Sequence, residues 1–180
     1  LIRHAATSEP DHPDPELSDI GFKQAKRVAE SLREFPLEKF SFLSSPMLRC
    51  LQTAKVLSET LGKKVKVEPQ LAETPAFLEE HEVFCVPNRK RIFPNFLWEF
   101  SDDLVFKKES SQQFLARTLN VLHSLPCKTI VVTHFGLICN MTRLALCDDS
   151  AKKAVERGIP TASVTYINKE ELTCLESHHA

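Results

Sequence analysis

The 180-residue sequence has no apolar run approaching the ~20 residues of a membrane-spanning helix, so no membrane partner is expected. It has no excess of either charge sign. Lys and Arg number 23 against 24 Asp and Glu, a formal net charge of −1, and without a long basic run nucleic acid is not expected as a main partner. None of the six cysteines (Cys50, Cys85, Cys127, Cys139, Cys147, Cys174) forms a CxxC pair or a zinc spacing. Reduced thiols in a cytoplasmic protein are expected instead of a disulfide framework. In Leu137-Ile138-Cys139 the thiol reads as a small hydrophobe. Internal repeats and low-complexity segments are absent. Because the sequence opens inside an expected strand, it leaves room for an upstream leader or domain, and targeting is not read from it.

What is present fits one globular domain over residues 1–180, long enough to bury a core. Leu1-Ile2 reads as the end of a buried strand that presents Arg3 and His4 to a loop. Pro10, Pro13 and Pro15 keep the following loop out of helix. Ser18 is an expected N-cap, and residues 20–35 carry a helical stripe of Phe22, Ala25, Val28, Ala29 and Leu32 that Pro36 stops. A strand over 40–44 leads through Pro46, expected at a first helical position, into a helix over 47–61 that Gly62 ends. Arg49 falls in its first turn. A short strand over 65–67 precedes a loop carrying Glu73.

Residues 74–109 are the least regular part, with Pro75, Pro87, Pro94, a basic Arg89-Lys90-Arg91 cluster and several aromatics. They read as an insertion folded over one end of the sheet, and the basic cluster as a solvated face. Ser110 or Ser111 caps an expected helix to residue 125 with Phe114, Leu115, Thr118, Leu119 and Leu122 on its apolar face. Thr129-Ile130-Val131-Val132-Thr133 is apolar enough for a strand buried on both faces, and it ends in His134-Phe135-Gly136 before a helix over 137–146. A short helix over 150–157 and strands over 162–167 and 172–176 complete the expected elements. Such alternation implies a three-layer α/β/α fold, a mostly parallel central sheet with helices on both faces.

In that fold the strand ends share one edge, so Arg3, His4, Arg49, Glu73 and His134 are expected to meet. Arginine, histidine and a carboxylic acid together suit a phosphate. The stretches Leu1-Ile2-Arg3-His4-Ala5-Ala6-Thr7, Ser44-Ser45-Pro46-Met47-Leu48-Arg49-Cys50-Leu51-Gln52-Thr53-Ala54, Val67-Glu68-Pro69-Gln70-Leu71-Ala72-Glu73 and Val131-Val132-Thr133-His134-Phe135-Gly136 occur in this order. Together they resemble the histidine phosphatase superfamily, also called phosphoglycerate mutase-like, with Pro160-Thr161-Ala162-Ser163-Val164 a looser match. The helix motif and Val67-Glu68-Pro69 are nearer to the eukaryotic branch of ubiquitin-associated, SH3-containing phosphatase-like proteins.

The resemblance implies a phosphomonoester hydrolase acting through a phosphohistidine. His4 would be the nucleophile. Arg3, Arg49, His134 and Thr7 would hold the phosphate, and Glu73 would serve as general acid and base with a raised pKa. No cofactor and no metal are implied; the substrate would be a phosphorylated small molecule or a phosphoprotein, and oligomeric state is not legible. Asp102-Asp103 and Asp148-Asp149 read as caps or surface acids, and His12, His81, His123, His178 and His179 as structural or surface residues. Trp98 and Tyr166 read as packing residues.

The chain departs from the family pattern at four places. Ala5 and Ala6 replace a glycine and an acidic residue, Phe135 replaces a glycine, and Thr7 stands where the eukaryotic branch has a basic side chain, so phosphotyrosine specificity is not implied. Ser8-Glu9-Pro10 replaces the Trp-Asn pair of the mutases, which places a phosphoglycerate mutase third. The second reading is a catalytically weakened phosphatase-like binding or scaffolding module.

Overall fold

The computed structural model describes residues 1–9, 11–75, 78–146 and 159–167. Four parallel strands form the sheet in the order β1 (Ile2–Arg3), β6 (Thr129–Thr133), β2 (Ser41–Ser44), β3 (Lys66–Val67). Helices α1 (Asp19–Leu32) and α2 (Leu48–Leu61) pack together on one face, α3 (Ser111–Ser124) and α4 (Phe135–Leu146) on the other. The period of two along each strand explains both layers. Ile2, Phe42, Ile130 and Val132 join Ala25, Ala29, Leu51 and Leu57 of α1 and α2 in one core. Val131 turns the other way, with Leu1 and Leu43, to meet Val121, Leu137 and Met141. A fully buried Val or Leu contributes ~1.5–3 kcal/mol, so these two clusters carry much of the stability.

The helix ends follow the sequence chemistry. Ser18 caps α1 by accepting from the Gly21 amide, and Ser110 and Gln113 form a reciprocal capping box on α3. Gly62 closes α2 with φ of 65°, a left-handed conformation that glycine adopts without penalty. Two expectations shift: α1 ends at Leu32, before Pro36, and Pro46 precedes the Met47 N-cap of α2, so it is not the first helical residue. On α3 the buried positions are Thr118, Val121 and Leu122, while Leu115 and Leu119 face solvent. Phe22 of α1 is likewise exposed.

The 74–109 segment is more ordered and more central than an insertion over one end. It contains an antiparallel hairpin of β4 (Val83–Val86) and β5 (Leu104–Lys107). Its inner residues Phe84, Val86, Leu104 and Phe106 pack on Met47 and Ala72, beside the start of α2 and the Glu73 loop. Phe93 and Phe96 are buried in the α1/α2 core, and Leu97 exchanges backbone bonds with Val65 and Val67 at the β3 edge. Trp98 packs edge-on to Phe100 and donates to the Phe93 carbonyl. Tyr166, by contrast, is 84% exposed and does not pack. The expected strand over 162–167 is reduced to an antiparallel bridge of Val164 with Ile2, flanked by backbone bonds of Ser163 to Arg3 and Thr165 to Leu1. The expected helix over 150–157 and strand over 172–176 lie outside the described residues. Among the described residues, no helix is long and apolar enough to cross a membrane.

Candidate active site

The parallel register delivers the strand ends to one edge. Arg3 pairs with Thr133 and Ser44 with Val132, so His4, Ser45 and His134 leave the sheet side by side. The His4 amide donates to the Thr133 carbonyl at 2.9 Å. The loop that follows is tied to the α1/α2 layer, with the Ala5 amide on Thr53 Oγ1 (3.1 Å) and the Ala6 amide on Gln24 Oε1 (2.9 Å). Gly21 is required by this approach, because a Cβ there would meet the Ala6 carbonyl oxygen at 2.0 Å. Ala5 is fully buried and does not adopt positive φ, so the backbone at this position does not call for glycine.

A cavity of about 720 Å³ opens at this edge, lined by Arg3, His4, Thr7, Arg49 and Glu73, with His12 and Thr161 on its wall. His4 Nδ1 lies 2.9 Å from the Ala5 carbonyl. A carbonyl accepts only, so Nδ1 carries the proton and Nε2 keeps its lone pair. Burial, the Arg49 guanidinium and that of Arg3 hold the His4 imidazole down to about 4, against the opposing pull of the Ala5 carbonyl. At neutral pH the ring is uncharged and stands beside two fixed cations.

Glu73 comes from the loop after a 3-10 turn at Pro69–Leu71, whose last carbonyl, that of Leu71, accepts from Thr133 Oγ1 at 2.8 Å. Its Oε2 accepts from the Gly136 amide (2.9 Å) in the first turn of α4. A methyl on Gly136 would stand 2.6 Å from Glu73 Oε1. Burial pushes the carboxyl pKa up, although the Gly136 and Thr74 amides, Arg49 and Arg117 oppose it. The cause is thus desolvation, and no crowding of carboxyl groups is involved.

His134 lies beside His4 but behind the cavity. It is fully buried, and its Nε2 is 2.8 Å from Ser45 Oγ and 3.4 Å from Cys50 Sγ. Its ring lies 5.4 Å from that of His4 and tilted by 58°, but it is not part of the cavity lining. Burial, first, and then Arg49 and His4 drive its pKa well down, so it too is neutral. Cys50, also fully buried, has its thiol pushed up by burial and stays protonated. Arg3 bonds the Ile159 carbonyl and lies over the Phe135 ring at 5.2 Å. Phe135, in the place of the family glycine, is thereby a contact of the signature arginine.

The α2 amino terminus is not an open anion site. Asp14, 7% exposed, accepts from the Leu48 amide at 2.7 Å and pairs with Arg49 (3.6 Å) and Arg89 (2.8 Å). Asp14 and Arg89 escaped the sequence reading. Their only signal was an acidic residue among prolines and a basic cluster, of which Lys90 and Arg91 are indeed exposed. His12, expected to be uninvolved, reaches the cavity wall with Nδ1 accepting from the Asp14 amide. Ala162 holds φ of 57°, and its amide bonds the Arg3 and His4 carbonyls, which brings Thr161 to the rim. Cys50 and Cys139 are buried and Cys85 and Cys127 exposed, all free, while Cys147 and Cys174 lie outside the described residues.

Known proteins share this fold. A mycobacterial glucosyl-3-phosphoglycerate phosphatase superposes with a TM-score of 0.60 at 22% identity, covering 90% of this chain and 85% of that one. A phosphoserine phosphatase from Entamoeba histolytica superposes with a TM-score of 0.58 at 17% identity, over 96% and 97%. These likenesses show the fold. In sequence, human ubiquitin-associated and SH3 domain-containing protein A is 27% identical over 88% of this chain, which spans only 28% of that protein. The profile of the histidine phosphatase superfamily (branch 1) matches residues 1–175, nearly end to end and across every strand edge described above. The chain therefore belongs to the histidine phosphatase superfamily.

Proposed function

We propose that this chain is a phosphomonoester hydrolase that passes its phosphoryl group through His4. The observation that carries the reading is the state of His4: neutral, its proton held on Nδ1 by the Ala5 carbonyl, its Nε2 lone pair free in a cavity that Arg3, Arg49 and Glu73 also line. In the first step the Nε2 lone pair attacks phosphorus and the bond to the ester oxygen breaks. Protonated Glu73 gives its proton to the departing alkoxide. In the second step Glu73, now a carboxylate, takes a proton from water as that water attacks phosphorus. The N–P bond breaks, inorganic phosphate leaves, and both His4 and Glu73 return to their starting states.

The guanidinium groups of Arg3 and Arg49 neutralise the equatorial oxygens, which makes approach of a lone pair to an anion possible. Thr7 contributes a hydroxyl at the rim. His134 stands behind His4, its Nε2 held by Ser45 and Cys50, from where its role toward the phosphate is the one expected of it. The substrate is a phosphorylated small molecule or a phosphoprotein side chain, for which the cavity volume leaves room.

A second reading, a phosphate-binding module with little turnover, draws on the same His134 observation. One assay separates them. Phosphate release from a panel of monoesters should be steady for the wild type, absent in His4→Ala and lowered ~10²–10⁴-fold in Glu73→Ala. Tight binding of inorganic phosphate with no release above the His4→Ala background would favour the module.

A further inference from the structure

The Glu73 loop is held from a distance by one ion pair. Arg117, on α3, forms a two-point contact with Glu109, Nε to Oε1 at 2.8 Å and Nη2 to Oε2 at 2.6 Å. Its remaining Nη1 donates to the carbonyls of Gln70 (2.6 Å) and Ala72 (3.0 Å). Glu109 Oε2 accepts in turn from Thr74 Oγ1 at 2.6 Å. The residues on either side of Glu73 in the chain are therefore fixed by the two halves of the same pair. The guanidinium also lies 4.9 Å over the Phe114 ring, which limits its freedom. Both partners are largely covered, at 19% and 23% side-chain exposure, so water competes weakly for these bonds.

We infer that Arg117 and Glu109 are positioning residues for the Glu73 carboxyl group. Neither lines the cavity. They act by setting the backbone from Gln70 to Thr74, and with it the reach of the carboxyl toward a leaving oxygen. Only arginine can do this, since the planar fork meets a carboxylate and two carbonyls at once, whereas a lysine ammonium cannot. Glu109 closes the 74–109 segment, so the pair also links the hairpin to the acid.

The inference rests on Glu73 acting as general acid, and its test separates the two ideas. Two monoesters are compared by kcat/KM, which reports the first phosphoryl transfer: a dinitrophenyl phosphate, whose leaving oxygen needs no proton, and an alkyl phosphate, whose leaving oxygen does. In Arg117→Gln and, as a milder variant, Glu109→Gln, kcat/KM for the alkyl ester should fall on the order of 10–10²-fold. The dinitrophenyl ester should be nearly unaffected, which also shows that the variant is folded. Glu73→Ala should show the same selective loss, larger. If Glu73→Ala is selective but both positioning variants slow the two esters equally or neither, the inference is overturned and the acid role stands. If Glu73→Ala shows no selectivity, the acid role falls and the inference with it.

Discussion

The imidazoles of His4 and His134 lie 5.4 Å apart between ring centroids, and each has one nitrogen committed, His4 Nδ1 to the Ala5 carbonyl and His134 Nε2 to the Ser45 hydroxyl. His134 is buried and His4 half-buried, both sit under the Arg49 charge, and both are held neutral. Two adjacent neutral histidines beside guanidinium groups constrain how the protein responds to acid.

In the unfolded chain each imidazole titrates near its ordinary value of about 6.5. Below that pH the unfolded state takes up protons that the folded state refuses, so stability falls as pH drops from about 6.5 toward the His4 value of about 4. His4 alone contributes a loss of about 3 kcal/mol over that window, and His134 adds to it. Glu73 acts oppositely: with its folded pKa raised, the native state takes up that proton first and gains stability as pH falls through it. Urea unfolding between pH 7 and pH 4 should show a net decline that is shallower in His4→Gln. A decline of equal slope in both proteins would contradict the neutral-histidine account.

Gly136→Ala separates stability from activity. The added methyl meets Glu73 Oε1 at 2.6 Å, the far end of a side chain that can yield. Alanine is the better helix former by up to ~1 kcal/mol, so α4 should not weaken. The displaced carboxyl should cost about tenfold or more in turnover of an alkyl monoester. Gly21→Ala is the contrasting case. Its methyl would meet the Ala6 backbone oxygen at 2.0 Å, and both thermal stability and activity should drop. Thermal melts run beside the kinetic assay check both.

Asp14→Asn should expose the charge imbalance at the start of α2. The amide oxygen can still accept from Leu48, but Arg49 and Arg89 lose their shared anion. Removing one member of a buried ion pair costs ~3–5 kcal/mol. Millimolar phosphate, by supplying a replacement anion to Arg49, should restore more of the melting temperature in the variant than in the wild type. Equal shifts in both would argue that Asp14 does not influence the phosphate site.

The main layers were legible because they are periodic. The run 129–133 alternates its burial between two cores, the α1 and α3 caps are local serine chemistry, and the strand-edge motifs place Arg3, His4, Arg49 and Glu73 at one cavity. The supporting contacts were not legible. Asp14–Arg89, Thr74–Glu109 and Ser45–His134 join positions far apart in sequence, and Arg117–Glu109, though closer, forms across the start of α3; none leaves a repeat or spacing to read. The β4–β5 hairpin was hidden by the prolines around it and by apolar residues on its outward face, Val83 and Val105, so that no polar alternation marks it. The orientation of His134 was not legible for a related reason. Its motif fixes where it leaves the sheet, whereas its rotamer follows from Ser45 and Cys50.

The central claim is a covalent bond between His4 and phosphorus. The direct test is rapid quenching of the protein with radiolabelled phosphomonoester, followed by peptide mapping of the acid-labile, alkali-stable label. The account predicts label on the peptide containing His4, formed at least as fast as turnover and absent from His4→Ala. Steady phosphate release with no phosphohistidine, or with the label on another residue, would contradict it.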